Sequence, residues 1–140
     1  MSSSEEIARA LIPVEDVMRA PPVTIAFDSA VMGAVKAMIE MDIGSIIVLN
    51  ENGQFCGIVT ERDVLERVVG EGRSPHETPV YEIMTAPVIA VESNISLREA
   101  LKLMRDHNVR RLAVTRAGAL EGQVTERRVL DALIFISKLD

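Results

Sequence analysis

The side chains best suited to chemistry in this sequence stand at the ends of two similar short runs. Thr60 and Asp63 close the run G-I-V-T-E-R-D, which spaces a hydroxyl and a carboxylate three residues apart. This spacing fits a capping box, in which both side chains satisfy free backbone N–H groups at a helix start. A carboxylate there can also accept two hydrogen bonds from a sugar diol. The pattern alone leaves helix capping and ligand binding open for Asp63.

The run recurs as G-Q-V-T-E-R-R, which ends on Arg128 in place of the acid. An arginine in the first turn of a helix gains nothing from the helix dipole, so capping does not explain it. Arg128 is therefore either a solvated side chain or a group that reaches an anion. Arg110 and Arg111 stand at a predicted strand entry, where exposed arginines are ordinary, but a planar guanidinium also suits phosphate.

Both runs belong to an internal repeat that spans most of the chain. A shift of 66 residues aligns Val14 with Val80 and Val48 with Val114, and the shift drops by one after the turn at Asn52. So long a register indicates a duplication, and two copies predict a pseudo-twofold pair rather than a solenoid. The predicted bounds are a leader at residues 1–13 with a short helix at 5–12, repeats at 14–73 and 80–140, and a linker at 74–79.

Each repeat predicts the element order β-α-β-β-α, so the expected fold is α/β (α+β) in two tandem copies. The first helix of each repeat shows apolar residues at helical spacing, beginning at Val31 and at Leu97. Short polar residues before these helices can cap them. The predicted caps are Asp28 or Ser29 and Asn94 or Ser93, and the predicted strands are residues 23–26, 46–49, 55–59, 88–91, 111–115 and 121–124.

Composition and charge exclude several classes of protein. The net charge of −6 argues against nucleic acid as the main partner, because basic surface supplies most of that affinity. No apolar stretch approaches the roughly 20 residues that span a bilayer, and the polar start does not predict a signal peptide. Cys56 is the only cysteine, which excludes a disulfide framework and favours a reducing, cytoplasmic location. His76 and His107 lack metal-ligand or triad spacing, so neither a metal site nor an enzyme is predicted.

The repeated order of a V-x-x-V/I-M opening, a helix, a hairpin and a closing G-x-x-T-x-x-D resembles the CBS domain. Two copies in tandem resemble a CBS pair, also called a Bateman module, from about residue 14 to residue 136. The matching residues are Val14, Val17, Met18, Pro21, Gly57, Thr60 and Asp63 in the first repeat, and Val80, Ile83, Met84, Thr85, Pro87, Gly122 and Thr125 in the second.

This resemblance implies a stand-alone regulatory module with no catalytic cofactor. Members of the family bind AMP, ADP, ATP or sometimes S-adenosylmethionine in clefts between the repeats, so an adenine nucleotide is the expected regulatory ligand. A cleft combines the T-x-x-D of one repeat with the first extended segment and strand entry of the other. Apolar walls would hold the adenine, the acid the ribose and the arginines the phosphates. The expected ligand-binding residues are Ile58, Thr60, Asp63, Val88, Ile89, Arg110 and Arg111.

The same correspondence leaves a second, degenerate cleft without the acid and without the arginines. This cleft is either empty or lets Arg128 reach a phosphate of a ligand in the neighbouring cleft. Its expected residues are Val23, Ser45, Thr125 and Arg128. The resemblance also implies a homodimer through the second helices, with candidate contacts at Val68, Val69, Leu133 and Ile134. An unidentified regulated protein is the expected partner. The alternatives are a scaffold with empty clefts and a sensor of S-adenosylmethionine.

Overall fold

The computed structural model describes residues 4, 8 and 11–138, with side chains in the last helix as far as Ile134. The short helix predicted at residues 5–12 falls mostly outside these described residues. The chain divides into two compact units, and each unit draws on both sequence repeats. We call Val23–Val88 the central unit, and Met1–Pro22 together with Ile89–Asp140 the terminal unit.

The central unit is a three-stranded sheet with helices on one face. Strand β1 runs parallel to β2, and β2 runs antiparallel to β3, so the order in the sheet is β1-β2-β3. A 3-10 turn at Val80–Glu82 follows the linker. The elements are β1 (Thr24–Ala26), α1 (Val31–Met41), β2 (Ser45–Leu49), β3 (Phe55–Thr60) and α2 (Glu61–Val64), which continues as a π-helical turn at Leu65–Val69.

The terminal unit repeats this plan with its own sheet, in the order β4-β5-β6. Its parallel and antiparallel pairings match those of the central unit. A 3-10 turn at Val14–Asp16 corresponds to the one at Val80–Glu82. The elements are β4 (Ala90–Glu92), α3 (Leu97–Asp106), β5 (Arg111–Arg116), β6 (Ala119–Thr125) and α4 (Glu126–Lys138). The predicted α/β fold with the order β-α-β-β-α in each copy is confirmed.

The leading segments of the two repeats (residues 14–22 and 80–88) each lie in the unit built mainly from the other repeat. In the terminal unit, the backbones of Arg19 and Gln123 exchange hydrogen bonds of 2.8 and 3.0 Å. In the central unit, Ile58 and Thr85 exchange bonds of 2.9 and 2.8 Å. Each leading segment therefore pairs with the last strand of the sheet that the other repeat forms.

One glycine in each last strand makes room for a leading segment. A Cβ atom built on Gly57 would stand 2.4 Å from Met84 Sδ. A Cβ atom on Gly122 would stand 2.6 Å from Met18 Sδ and 2.7 Å from the carbonyl oxygen of Arg19. Carbon atoms do not approach so closely in a packed protein, so the glycine that opens each G-x-V-T-E-R run is required by packing.

The helices of each unit cover one face of its sheet, where the aliphatic core lies. In the central unit this core includes Ile46, Val48 and Val59 from the sheet and Val68 from the π-helical turn. Val68 is fully buried, so its prediction as a dimer contact is wrong. The terminal core contains Val14, Val91, Leu97, Ala100, Met104, Leu112, Val114, Val124 and Val129.

The first helices are preceded by cap residues that lie one to three positions later than the predicted caps. Helix α1 follows Ala30, and its first amide, of Val31, donates to the carbonyl of Thr78 in the linker at 2.8 Å. Helix α3 follows Ser96, whose hydroxyl oxygen accepts the amide of Glu99 at 3.1 Å. A linker carbonyl and a later serine thus satisfy these amides. The predicted caps Asp28, Ser29, Asn94 and Ser93 are wrong.

Candidate functional site

The central unit carries the acid of the T-x-x-D run at the junction of β3 and α2. Asp63 is only 6% exposed. Its Oδ2 accepts the backbone amide of Thr60 at 2.9 Å, and Thr60 Oγ1 accepts the amide of Asp63 at 3.1 Å. These reciprocal bonds form a capping box, so the capping interpretation of Asp63 is confirmed.

The same carboxylate also ties the helix start to the leading segment at residues 80–88. Its Oδ1 accepts the hydroxyl of Thr85 at 3.1 Å, and Arg67 Nε lies 3.9 Å from Oδ1. Arg67 Nη1 in turn donates to the carbonyl oxygens of Ile83 and Met84, at 2.8 and 3.1 Å. An ionised carboxylate offers about four acceptor sites, so these bonds leave capacity for a ligand diol.

The terminal unit replaces this acid-centred arrangement with a single arginine. Thr125 Oγ1 still accepts the amide of Arg128 at 3.1 Å, as a threonine cap does. Arg128 Nε donates to the carbonyl oxygen of Val17. Val17 aligns with Ile83, whose carbonyl oxygen accepts a hydrogen bond from Arg67 in the central unit. The terminal unit has no arginine at the position of Arg67, because the aligned residue is Ala132. Arg128 therefore supplies the carbonyl contact that Arg67 supplies in the other copy.

The second face of each sheet, which we call the helix-free face, is lined by side chains that alternate with those of the core. Its chemistry differs between the units. In the central unit it carries Ser45, Ile47, Ile58, Thr60 and, on the leading segment, Thr85. In the terminal unit the aligned residues are Arg111, Ala113, Gln123, Thr125 and Arg19. One face is apolar and hydroxylic, and the other is cationic.

Some of the predicted ligand-binding residues lie in the central unit and the others lie in the terminal unit. Ile58, Thr60, Asp63 and Val88 belong to the central unit, with Ile58 and Val88 half-buried. The terminal unit contains Ile89, which packs against its core, and both Arg110 and Arg111. Within the terminal unit, Arg111 is paired with Thr125 across the sheet.

The residues predicted for the degenerate cleft are likewise divided between the two units. Val23 lies in the central unit, where its carbonyl accepts the amide of Ile47 at 3.0 Å. Ser45 is buried opposite Thr60. Thr125 and Arg128 lie together in the terminal unit, where the backbone amide of Arg128 donates to Thr125 Oγ1.

Arg19 and Gln123 were missed by the sequence reasoning. Both lie on the helix-free face of the terminal unit, where Gln123 is buried and Arg19 half-buried. The signal was available, because the repeat aligns Arg19 with Thr85 and Gln123 with Ile58. The terminal unit therefore has a cationic side chain where the central unit has a threonine, and a polar amide where it has an isoleucine.

Two further observations concern metal binding and thiol reactivity in the part of the chain that the structure describes. No three side chains of His, Cys, Asp or Glu in that part come together to hold a metal ion. Burial raises the pKa of the Cys56 thiol, which disfavours the nucleophilic thiolate. Among the described helices, none has the length and apolar character needed to cross a membrane.

Comparison with known proteins gives a consistent family match. The family model for the CBS domain matches residues 14–70 and 80–134. An uncharacterized protein of Methanopyrus kandleri is 37% identical over 120 residues, which cover 85% of this chain but 61% of that protein. The structure of a putative signal-transduction protein with CBS domains from Burkholderia ambifaria is 35% identical, with a TM-score of 0.79 and coverage of 89% and 95%. A hexameric CBS-CP12 protein from bloom-forming cyanobacteria is 29% identical, with a TM-score of 0.80 and coverage of 92% and 75%.

Proposed function

Because this chain belongs to the CBS-domain family, we propose that it is a regulatory module that binds an adenosine nucleotide. The proposal assigns it no catalytic step. Binding of the nucleotide shifts the population of conformations and thereby signals to a partner protein. Its cellular location is proposed to be the cytoplasm.

The observation that carries this proposal is the division of chemistry between the two helix-free faces. The central unit offers apolar side chains at Ile47 and Ile58 beside the hydroxyl of Thr60 and the carboxylate of Asp63. Such groups suit a base and a ribose diol. The terminal unit offers Arg111 and neighbouring cations, which suit phosphate. A nucleotide requires both kinds of contact, and the chain offers residues of both kinds, which supports the proposal.

A thermal-shift panel tests the proposal. A ligand present at 100 times its dissociation constant adds about 2.7 kcal/mol to the free energy of unfolding. For a chain of this size we expect the midpoint to rise by roughly 10 °C with the best of AMP, ADP and ATP. S-adenosylmethionine should shift it less, since it has no phosphate for the arginines. The absence of a shift with all four compounds would favour the scaffold with empty clefts instead.

Self-association is the second part of the proposal, and exposed apolar residues on the second helices support it. Leu65 and Val69 are 62% and 66% exposed, and the aligned Leu130 and Ile134 are 40% and 52% exposed. A groove of about 560 Å³ lies beside Leu65 in the central unit. Leu133, by contrast, packs against the terminal core. We propose that a second copy covers these residues in a homodimer.

Charging this apolar surface should separate the dimer. We expect the double change Leu65→Glu and Leu130→Glu to convert a dimer into a monomer, because each acid would have to be desolvated in the interface. Sedimentation velocity measures the mass. Lys36→Glu, on the exposed side of α1, is the control and should remain dimeric. A double variant that still sediments as a dimer would place the interface elsewhere.

A further inference from the structure

The groove beside Leu65 in the central unit combines apolar side chains with exposed acids. Side chains of α1 and α2 line it, and Asp42 and Glu61 are among them. Both carboxylates are exposed, and neither forms an ion pair with another described residue. Nearby Arg62 pairs with Glu66 at 2.6 Å, so that pair adds no net charge. The groove is therefore an apolar surface with a negative charge.

Asp42 occupies a position where a carboxylate has no local benefit. It ends α1 in the left-handed conformation, with φ at 53°. The partial negative charge at a helix C-terminus disfavours an acid there, and asparagine is the more usual residue in this conformation. The terminal unit has that asparagine, because Asn108 aligns with Asp42 and also has φ at 53°. A cation from outside the unit would compensate the carboxylate of Asp42.

The aligned surface of the terminal unit presents a cation instead. The repeat aligns Ile39, which lines the groove and is 75% exposed, with Arg105 in α3. Arg105 is exposed and forms no ion pair with another described residue. Leu130 on α4 is the counterpart of Leu65, and both leucines are exposed. Each unit therefore has an exposed leucine on this surface, with carboxylates in one unit and an arginine in the other.

At the positions that line the groove, the two copies differ in the sign of their net charge. The central unit has two acids there, Asp42 and Glu61. The aligned residues of the terminal unit include two arginines, Arg105 and Arg110, and a single acid, Glu126. One surface is negative and the other is positive. Surfaces of opposite charge on the same chain can attract each other between two copies.

Two copies can bring these surfaces together in two ways. In a crossed dimer, the central unit of each copy contacts the terminal unit of the other, so that Asp42 meets Arg105. In an uncrossed dimer, each unit contacts its own counterpart, which brings Asp42 near Asp42 and Arg105 near Arg105. Like charges brought together in an interface are strongly unfavourable, whereas opposite charges fix the orientation. A twofold axis makes the crossed contact occur twice.

From these observations we infer that the dimer is crossed, and that the groove of the central unit binds the surface around Arg105 and Leu130 of a second copy. Arg105 compensates the carboxylate of Asp42, and Leu130 covers Leu65 and the exposed Ile39. The inference rests on the proposed homodimer and specifies its orientation and its ion pair.

Cysteine cross-linking tests the orientation. Leu65→Cys and Leu130→Cys are each made in a Cys56→Ala background, which removes the one native thiol. A thiol oxidant is added to each variant alone and to an equimolar mixture of the two. We expect a covalent dimer in the mixture and none with either variant alone, because a crossed dimer places residue 65 near residue 130 of the second copy. The reduced mixture is the control.

Charge reversal tests the ion pair. We expect Asp42→Arg and Arg105→Asp each to raise the dissociation constant of the dimer about tenfold, measured by sedimentation velocity. An equimolar mixture of the two variants should associate as tightly as the unmodified protein, because every arginine then meets an aspartate. Glu40→Arg is the matched control, since Glu40 is exposed on α1 but does not line the groove. It should dimerise as the unmodified protein does.

A milder variant covers the case in which arginine at the left-handed position 42 impairs folding. Asp42→Asn copies Asn108, which has the same conformation in the terminal unit. It should stay folded and still raise the dissociation constant, by about threefold, because it removes the charge that Arg105 compensates. Circular dichroism verifies the fold of each variant before its association is measured.

The outcomes separate this inference from the proposed self-association. A covalent dimer from Leu65→Cys alone or from Leu130→Cys alone, or none in any sample, overturns the crossed arrangement and leaves the homodimer intact. A mixture of the two charge-reversed variants that associates no better than either alone also overturns it. An unmodified protein that sediments only as a monomer removes the homodimer and this inference together.

Discussion

Replacing Gly122 with alanine is expected to lower the free energy of unfolding by about 3 kcal/mol, in the upper part of the range for overpacking. The added Cβ would stand 2.7 Å from the carbonyl oxygen of Arg19. That oxygen accepts the amide of Gln123 at 3.0 Å, so it cannot move away without breaking the pairing of the leading segment. Urea unfolding followed by circular dichroism measures the loss.

Gly57→Ala provides the matched comparison in the central unit. Its closest atom would be Met84 Sδ at 2.4 Å, whereas the Thr85 carbonyl oxygen lies farther away, at 3.2 Å. A methionine side chain is flexible and can be displaced, so we expect a loss of only about 1 to 2 kcal/mol. Equal losses at the two glycines, or a larger loss at Gly57, would contradict the proposed role of the backbone contact.

A second substitution distinguishes a clash with a methionine side chain from a clash with a backbone carbonyl oxygen. Met84→Ala should recover part of the loss caused by Gly57→Ala, because it removes the atom that clashes. Met18→Ala should recover little of the loss caused by Gly122→Ala, because the carbonyl of Arg19 remains in place. A double-mutant cycle gives the coupling energy for each pair.

The glycines show both the strength and the limit of the sequence analysis. Their positions were recognised as part of the repeated motif, and the α/β fold with its element order followed from hydrophobic spacing. The physical reason for a glycine at these positions was not visible in the sequence. Gly57 and Gly122 each contact a leading segment that lies more than 25 residues away along the chain. Local patterns do not report such long-range pairing.

The helix starts failed for a related reason. Polar residues before α1 predicted a local cap, but the amide of Val31 donates to Thr78 in the linker. Residues 74–79 were predicted only as a linker, whereas carbonyl groups of this segment accept the first amides of α1 in place of a side-chain cap. Propensity describes which residues can cap a helix, and tertiary contacts decide which atom does so.

The candidate site was predictable where the two copies could be compared residue by residue. The exchange of Asp63 for Arg128 was read from the repeat, and so was the capping box at Thr60. The contact of Arg128 with Val17 was not predicted, since it depends on a leading segment 111 residues away. Arg19 was overlooked although the repeat aligns it with Thr85, because its pairing with Gln123 beside β6 is not visible in the sequence.

Asp63→Asn is expected to weaken nucleotide binding at least about tenfold while leaving the protein folded. The amide oxygen of asparagine can still accept the Thr60 amide, which preserves one half of the capping box. The substitution removes the negative charge and turns one acceptor into a donor, so a ribose diol loses a partner. The Thr85 hydroxyl can accept a hydrogen bond from the new amide nitrogen, so stability should fall by no more than about 1 kcal/mol.

Asp63→Ala is a poorer test of binding, because it would leave both the Thr60 amide and the Thr85 hydroxyl without their partner. Its effect on stability would therefore be mixed with its effect on the ligand. Asp28→Asn is the matched control, since it makes the same chemical change at an exposed acid of the same unit. We expect it to bind nucleotide as the unmodified protein does.

Isothermal titration with ATP, made on the unmodified protein, on Asp63→Asn and on Asp28→Asn, tests the central claim most directly. The account predicts saturable binding by the unmodified protein and by Asp28→Asn, and an affinity at least about tenfold lower for Asp63→Asn. Undetectable binding by the unmodified protein, or equal affinity for all three proteins, would contradict it.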